Sequence, residues 1–383
     1  MTRTAALVLM LSNAHPPDDL RVVRKEGAAL AAAGWRVLHL CPGAAAAHAP
    51  VAGVSVETFP RRAGWLGRVL AVPRLARRAA ALRPAVIHAH EPDSWAAALL
   101  AARRCGARVV LDVHEHYPSR LDRRLPAPLR PLARAAIRLA CGWMGRRADA
   151  VVVAKDGLDP DFPGAARVVA VRNYAPAPTV PARRHAAGPI TLVHLGALSE
   201  ARGAFRMLDA LALGPAGTRL LLIGRFTDGS GPRFRAEAAA RGLADRIEET
   251  GWLPQPAALA RAATADVGLV LFQRGEENHR LALPHKLFDC MAAGLPVIVP
   301  GFGPEVARVV AEAGCGIALD PGDPAAIGDA LHRLADPALR ARLGAAGRAA
   351  VLGRFAWENE AERLAALYRA LLPGHAPALA RAA

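Results

Sequence analysis

Aromatic residues make up only 5 % of this 383-residue chain, although 53 % of it is hydrophobic. Its core must therefore be built mainly from alanine, leucine and valine, which suggests Ala-rich helices over aliphatic strands. Cysteine is sparse, with five residues at 41, 105, 141, 290 and 315 and no C-x-x-C pair. That excludes a disulfide frame and a zinc knuckle, and reads as reduced thiols in the core of a cytosolic protein. No apolar run reaches the roughly 18–20 residues that span a bilayer. Met1 to Leu11 could mimic a short signal peptide. It runs directly into the polar stretch Ser12 to Asp19 and then an amphipathic helix, so a first core strand is the better reading. Three phosphate and nucleophile signatures are also missing. There is no G-x-G-x-x-G followed by a ribose-binding acid, no G-x-x-x-x-G-K-[ST] and no G-x-S-x-G.

What is present is an α/β alternation. The length exceeds one ordinary core, so two domains are expected. Ala5 to Leu11, a helix over Leu20 to Ala33 closed by Gly34, and Trp35 to Leu40 form a βαβ unit. Strands follow at Val54 to Phe59, Ala85 to His90, Ala107 to Val113, Ala150 to Ala154 and Val168 to Val171. The Pro-rich residues 176–189 read as a linker. The pattern then restarts with strands at Ile190 to Leu195, Arg219 to Gly224, Ile247 to Gly251, Val267 to Leu271, Val297 to Val299 and Ile317 to Leu319. This organisation predicts an N-terminal Rossmann-like domain over 1–175 and a second over 190–355. A final helical segment, 356–383, returns to the first domain.

Ligands of open parallel sheets bind beyond the carboxyl ends of strands. That rule selects Asn13 to Asp19, the group His88, His90, Glu91 and Asp93, and the group Asp112, His114 and Glu115. It also selects Gly196 to Gly203, Arg225, and the pair Lys286 and Asp289. His88 and His90 admit metal ligation, but two histidines and a carboxylate without a third fixed ligand are more often hydrogen-bonded loop residues. His114 with Glu115 is open between an acid/base pair and ordinary strand-end polarity. Arg202-Gly203 fits a phosphate loop or a surface turn equally well.

Pro284 to Pro300 is the most informative stretch. Pro284 opens a helix, Gly294 and Pro296 end it, and Val297-Ile298-Val299 suits a strand buried on both faces. Lys286 and Asp289 share a helix face near free N-terminal amides, which can hold a phosphate and a neighbouring hydroxyl together.

Together these motifs resemble the GT-B-fold retaining glycosyltransferases of the family 4 type, also called glycosyl transferases group 1, over nearly the whole chain. Asp18-Asp19-Leu20-Arg21-Val22 resembles the family's opening helix. His88-Ala89-His90-Glu91 and Asp112-Val113-His114-Glu115 resemble its strand ends. Gly196-Ala197-Leu198-Ser199-Glu200-Ala201-Arg202-Gly203 is similar to its donor loop. Pro284-x-Lys286-Leu287-Phe288-Asp289 with Gly294-x-Pro296-Val297-Ile298 is the most specific match. The resemblance implies two doubly wound domains facing a central cleft and transfer of a sugar from a nucleotide-sugar with retention at the anomeric carbon. It implies no metal or other cofactor, and no D-x-D pair stands in a candidate site loop.

The resemblance also implies roles. Asp289 would bind the donor ribose. Arg202, Lys286 and the amides near Leu287 would hold the diphosphate. Gly196 and Gly203 would let phosphates approach the backbone, with Arg225 in the donor site. His114, with Asp112 and Glu115, would stand near the transferred sugar. Asp18, Asp19, Arg21 and His90 would face the acceptor and phosphates. Two departures stand out. The family's first acid of an E-x7-E pair falls on Leu281, leaving Glu277 as a neighbouring substitute, and Ala197 stands where an arginine is common.

The net charge of +16 is uneven, with 26 Lys and Arg against 13 Asp and Glu over residues 1–180. The basic apolar stretches Arg61 to Arg83 and Arg120 to Arg147 suit an anionic membrane surface presenting a lipid-linked or saccharide acceptor. A solvated arginine-rich face is the plainer alternative. Nucleic acid lacks support, because no basic groove is interleaved with aromatics. Transfer in envelope, exopolysaccharide or lipopolysaccharide assembly, at the inner face of a membrane, is the expected function. A catalytically silent relative and a polyanion-binding protein are the alternatives.

Overall fold

The computed structural model describes residues 5–44, 49–61 and 64–374. Residues 62 and 63 of the basic stretch, the Trp65 side chain and residues 375–383 of the final segment lie outside the described residues.

The chain divides into two units. One comprises residues 1–172 with 357–383, the other residues 173–356. The first holds a seven-stranded sheet of β1 (Leu7–Ser12), β2 (Arg36–Pro42), β3 (Ser55–Phe59), β4 (Val86–His90), β5 (Arg108–Val113), β6 (Ala150–Val153) and β7 (Val168–Ala170). Its order is β3-β2-β1-β4-β5-β6-β7, with every pairing parallel. The second holds β8 (Thr191–Leu195), β9 (Arg219–Ile223), β10 (Ile247–Gly251), β11 (Val267–Leu269), β12 (Val297–Pro300) and β13 (Gly316–Leu319), ordered β10-β9-β8-β11-β12-β13 and again all parallel. Each sheet reverses its winding once, between β1 and β4 and between β8 and β11. Those crevices are where ligands of doubly wound sheets bind.

Helices cover both faces, so the central strands are apolar throughout rather than alternating. In the first unit Val8, Met10, Val86, Val110 and Val152 pack beneath the final helix Trp357–Leu371 through Trp357, Leu364 and Tyr368. In the second, Val297 and Val299 face one core and Ile298 the other, as period-two side-chain geometry requires. The Pro-rich segment 176–189 is tied to the second unit. Arg183 Nη2 lies 3.0 Å from Asp266 Oδ1, and Arg340 donates to the Ala186 carbonyl at 2.6 Å.

Two local features differ from expectation. The helix expected over Leu20 to Ala33 is a π-turn, Val22–Gly27, followed by a short α-helix, Ala28–Ala32. Such bulges occur where a tertiary demand overrides the 3.6-residue repeat. Here Arg21 and Glu26 are both buried and must meet each other and Asp112. The helix Pro304–Ala313 was not anticipated, although Pro304 at its first position and the buried Val306, Val309 and Val310 carry the signal.

Candidate functional site

Beyond β1 and β4 of the first unit, side chains lock into one polar network. Ser12 Oγ accepts from the backbone amides of Ala14 and His15 at 3.0 and 2.8 Å and donates to Glu91. Glu91 sits at φ 67°, a strained conformation for a side-chain-bearing residue. His15 bridges two carboxylates, Nδ1 to Asp19 at 2.8 Å and Nε2 to Glu91 at 2.7 Å. Burial alone would discourage its charge, but these two partners raise its pKa to about 10. His15 in turn, against the opposing effect of burial, pulls Asp19 well below the usual carboxylate range. Asp19 Oδ1 also accepts from the amides of Arg21 and Val22, both at 2.9 Å, which starts the π-turn.

Arg21 lies at the centre of this network. Its Nη2 lies 2.7 Å from Glu26 Oε1 and 3.0 Å from Asp112 Oδ1, and its Nη1 donates to the Val171 carbonyl at 3.0 Å. Asp112 Oδ2 lies 2.7 Å from His114 Nε2 and 3.0 Å from His90 Nδ1. Burial would raise the Asp112 pKa, but Arg21 and His114 outweigh it and hold the group well below the carboxylate range. Asp112 is therefore a fixed anion that orients imidazoles, the positioning role such a carboxylate plays beside a histidine. Burial keeps His90 neutral and brings His88 down to about 4. Glu26, His88, His90 and Asp112 offer four buried ligand atoms within 4.8 Å of one another. Arg21 already supplies the cation both carboxylates need, so the group fits a divalent ion poorly.

In the second unit, the loop after β8 meets the helix His285–Ala292. Gly196 takes φ +88°, and a Cβ there would lie 4.0 Å from Lys286 Nζ. Gly203 takes φ +84°, and its Cβ would stand 2.1 Å from the Leu271 carbonyl oxygen, so only glycine fits. This tight seat aims the preceding residue: Arg202 lies 5.8 Å from the Phe272 ring centre, as does Lys286 Nζ. Two cations thus converge on one ring. Burial, together with the charge of Arg202, holds the Lys286 ammonium well below the usual lysine range. No side chain caps the first turn of the helix, and its N-terminal dipole adds further positive potential. The arrangement is suited to an anion with several oxygens.

Asp289, one turn further, lies 2.9 Å from His285 Nδ1 and 3.4 Å from Gln255 Nε2. A carboxylate held by its neighbours presents oxygen lone pairs suited to sugar hydroxyls. Arg225 stacks 5.6 Å from the Trp252 ring and lines a cleft of about 510 Å³ with Gly224, Phe226 and Gly251.

The structure gathers Asp19, Arg21, His90, Asp112 and His114 in one unit, and Gly196, Arg202, Gly203, Lys286 and Asp289 in the other. Other candidates fall outside these groups. Glu115 turns away from His114 to pair with Arg120 at 2.6 Å. Asp18 forms an exposed pair with Arg24. The Leu287 side chain is fully buried in the core, leaving its backbone alone available. Leu281 is buried and Glu277 is paired with Arg280, so neither presents a carboxylate as the E-x7-E pattern would.

Sequence reasoning missed His194. Its Nδ1 faces the Leu269 carbonyl at 3.2 Å, so its Nε2 lone pair can accept from Lys286 Nζ at 2.7 Å. Burial and the Lys286 charge keep this imidazole neutral. A histidine inside an apolar strand two residues before a loop glycine was the available signal.

Comparison with known proteins agrees with this anatomy. Residues 21–173 match the model of the glycosyl transferase 4-like domain, and residues 189–336 that of the glycosyl transferases group 1. A D-inositol 3-phosphate glycosyltransferase of Acidothermus cellulolyticus is 29 % identical over 168 residues, which is 44 % of this chain. The match spans 34 % of that relative's length. Sucrose-phosphate synthase from Thermosynechococcus elongatus superposes with a TM-score of 0.73 at 20 % identity, covering 96 % of this chain and 99 % of its own. Anabaena HepE, crystallised with UDP and glucose, superposes at 0.72 with 17 % identity, covering 95 % and 100 %. These structures share the fold. With both domain models matched in order along one chain, the protein belongs to the GT-B glycosyl transferases of group 1.

Proposed function

We propose that the protein is a retaining, metal-independent glycosyltransferase that moves a sugar from a nucleotide-sugar to a saccharide or lipid-linked acceptor in envelope or exopolysaccharide assembly. The observation that carries this reading is the convergence of Arg202 and Lys286 on Phe272, beside Gly196 and an uncapped helix N-terminus. In the transfer, the bond from the anomeric carbon to the donor phosphate breaks and a bond to the acceptor oxygen forms on the same face. The acceptor proton passes to the departing diphosphate. The barrier lies in the charge that grows on that diphosphate, and fixed cations and amides aimed at it lower the barrier without a metal. Asp289 takes the ribose hydroxyls and Arg225 the side of the nucleoside. His114, steadied by Asp112, contacts the transferred sugar, and the Asn13 to Asp19 loop faces the acceptor. The UDP and glucose bound by HepE support a uridine or related donor.

A thermal-shift screen with UDP- and GDP-sugars, followed by turnover of the hit and NMR of the product's anomeric configuration, tests this reading. Lys286→Ala and Asp289→Ala are expected to abolish transfer in a folded protein, and full activity in both would overturn the site. A second reading, a silent relative that binds nucleotide-sugar without turnover, is favoured by one observation. Leu281 fills with a buried apolar side chain the position where the family carries its first acid. Saturable binding with no turnover on any acceptor would select it.

A further inference from the structure

Among the described residues, eight of the twelve large apolar side chains left exposed lie in two segments of the first unit, three on the helix Gly64–Ala81 and five between Leu121 and Trp143. The helix Arg130–Gly145 makes the pattern plain. It docks through Ala133, Ile137, Cys141 and Met144, which are partly or fully buried. Leu132, Ala136, Leu139 and Trp143 advance by four, three and four residues, so they line one face of the helix away from that seam. Leu132 is 71 % exposed, Leu139 74 % and Trp143 46 %. A solvent-facing stripe normally carries polar residues, and this one is apolar.

Its surroundings are cationic. Residues 123–148 contain seven arginines and no acidic residue, and of these Arg134 pairs with Asp122 and Arg138 with Asp161. Arg147 stacks 3.9 Å from the Trp143 ring, at the end of the stripe. On the other helix Leu66, Val69 and Leu70 are exposed at i, i+3 and i+4, followed by the exposed Arg74 and Arg77. That helix begins near the carboxyl ends of the strands, where Arg68 Nη2 lies 2.5 Å from Asp93.

We infer that this face docks on a membrane surface rich in anionic lipid, with Leu132, Leu139 and Trp143 entering the headgroup boundary and the flanking arginines meeting lipid phosphates. Leucine needs an apolar receptor and guanidinium an anionic one, and an anionic bilayer surface offers both within one layer. A second copy of the chain meets this face badly, because an isologous contact would set the same arginines against each other. A nucleic acid would leave the leucines in water and find on this face, among the described residues, one exposed aromatic for stacking, already covered by Arg147. No described helix is long and apolar enough to cross the membrane, so the contact is interfacial. The inference rests on this surface alone and is independent of the donor-site reading.

The test is co-sedimentation of the full-length protein with phosphatidylcholine vesicles, with and without phosphatidylglycerol, at increasing salt. Binding is expected only to the anionic vesicles and is expected to weaken with salt. Leu132→Asp with Leu139→Asp should lower the partition at least about tenfold while the thermal melt and nucleotide-sugar binding stay unchanged, since both side chains are exposed. Trp143→Phe should remove the blue shift of tryptophan emission on vesicle binding. No binding to anionic vesicles, or binding indifferent to the double substitution, overturns the inference. So does concentration-dependent self-association, or DNA binding of equal strength, that the double substitution abolishes.

Discussion

The two units carry the same sheet topology and place polar clusters at the same switch point, yet the clusters are opposite in character. In the first, Arg21 bridges Glu26 and Asp112, and Asp112 in turn holds His90 and His114 within a buried network. There Arg21 offsets the buried carboxylate charge. In the second, Arg202 and Lys286 converge with a buried histidine as the nearest described partner of the lysine. Burial, together with the charge of Arg202, holds that lysine below its ordinary pKa. The first is built to position groups, and the second is built to receive an anion. Stability and function should therefore respond oppositely to substitution in the two places.

Breaking the first network should have the largest effect. Asp112→Ala leaves Arg21 with only Glu26 and the Val171 carbonyl in a buried site, and is expected to cost about 3–5 kcal/mol of unfolding free energy in a denaturant titration. Lys286→Met is expected to do the reverse: it removes a desolvated charge, so stability holds or rises, while affinity for a nucleoside diphosphate falls about a hundredfold by calorimetry. A destabilised Lys286→Met protein would dissolve the contrast.

The next effect is smaller and depends on pH. His15 has its pKa raised from 6.5 to about 10 in the folded chain. Its contribution is fully present below pH 6.5 and is lost as pH rises through about 10. Between those limits stability should decline steadily, and His15→Asn should flatten that slope. The smallest effect sharpens the second cluster. A bound diphosphate favours the charged Lys286, so binding takes up protons and affinity should weaken as pH rises. Lys286→Arg, always charged, should bind with less pH dependence.

Much of this was legible in the chain. Val151-Val152-Val153 and Val297-Ile298-Val299 announce strands buried on both faces, and both are interior strands with a neighbour on each side. Gly203 and Gly294 mark turns that need positive φ, and both have it. What stayed hidden depends on partners distant in sequence. The π-turn at Val22–Gly27 answers to Asp112, some 90 residues on, and no local propensity reports that. His194 reads as an ordinary strand residue until the helix bearing Lys286 is laid beside it. Glu115 sits next to His114 in sequence, but adjacent side chains leave a strand end in different directions, and Arg120 claims it.

The scarcity of lysine has a practical consequence. All three lysines are buried, Lys25 at 1 % exposure, Lys155 at 7 % and Lys286 at 8 %. The exterior cations are therefore guanidinium groups, which ordinary acylating reagents leave untouched. Amine-directed labelling of the folded protein should be nearly silent across its surface. Lys286, whose buried ammonium gives up its proton readily, becomes the natural target for a small anionic aldehyde such as pyridoxal phosphate. A single mass increment there, suppressed by nucleoside diphosphate, would turn one residue into a chemical gauge of site occupancy.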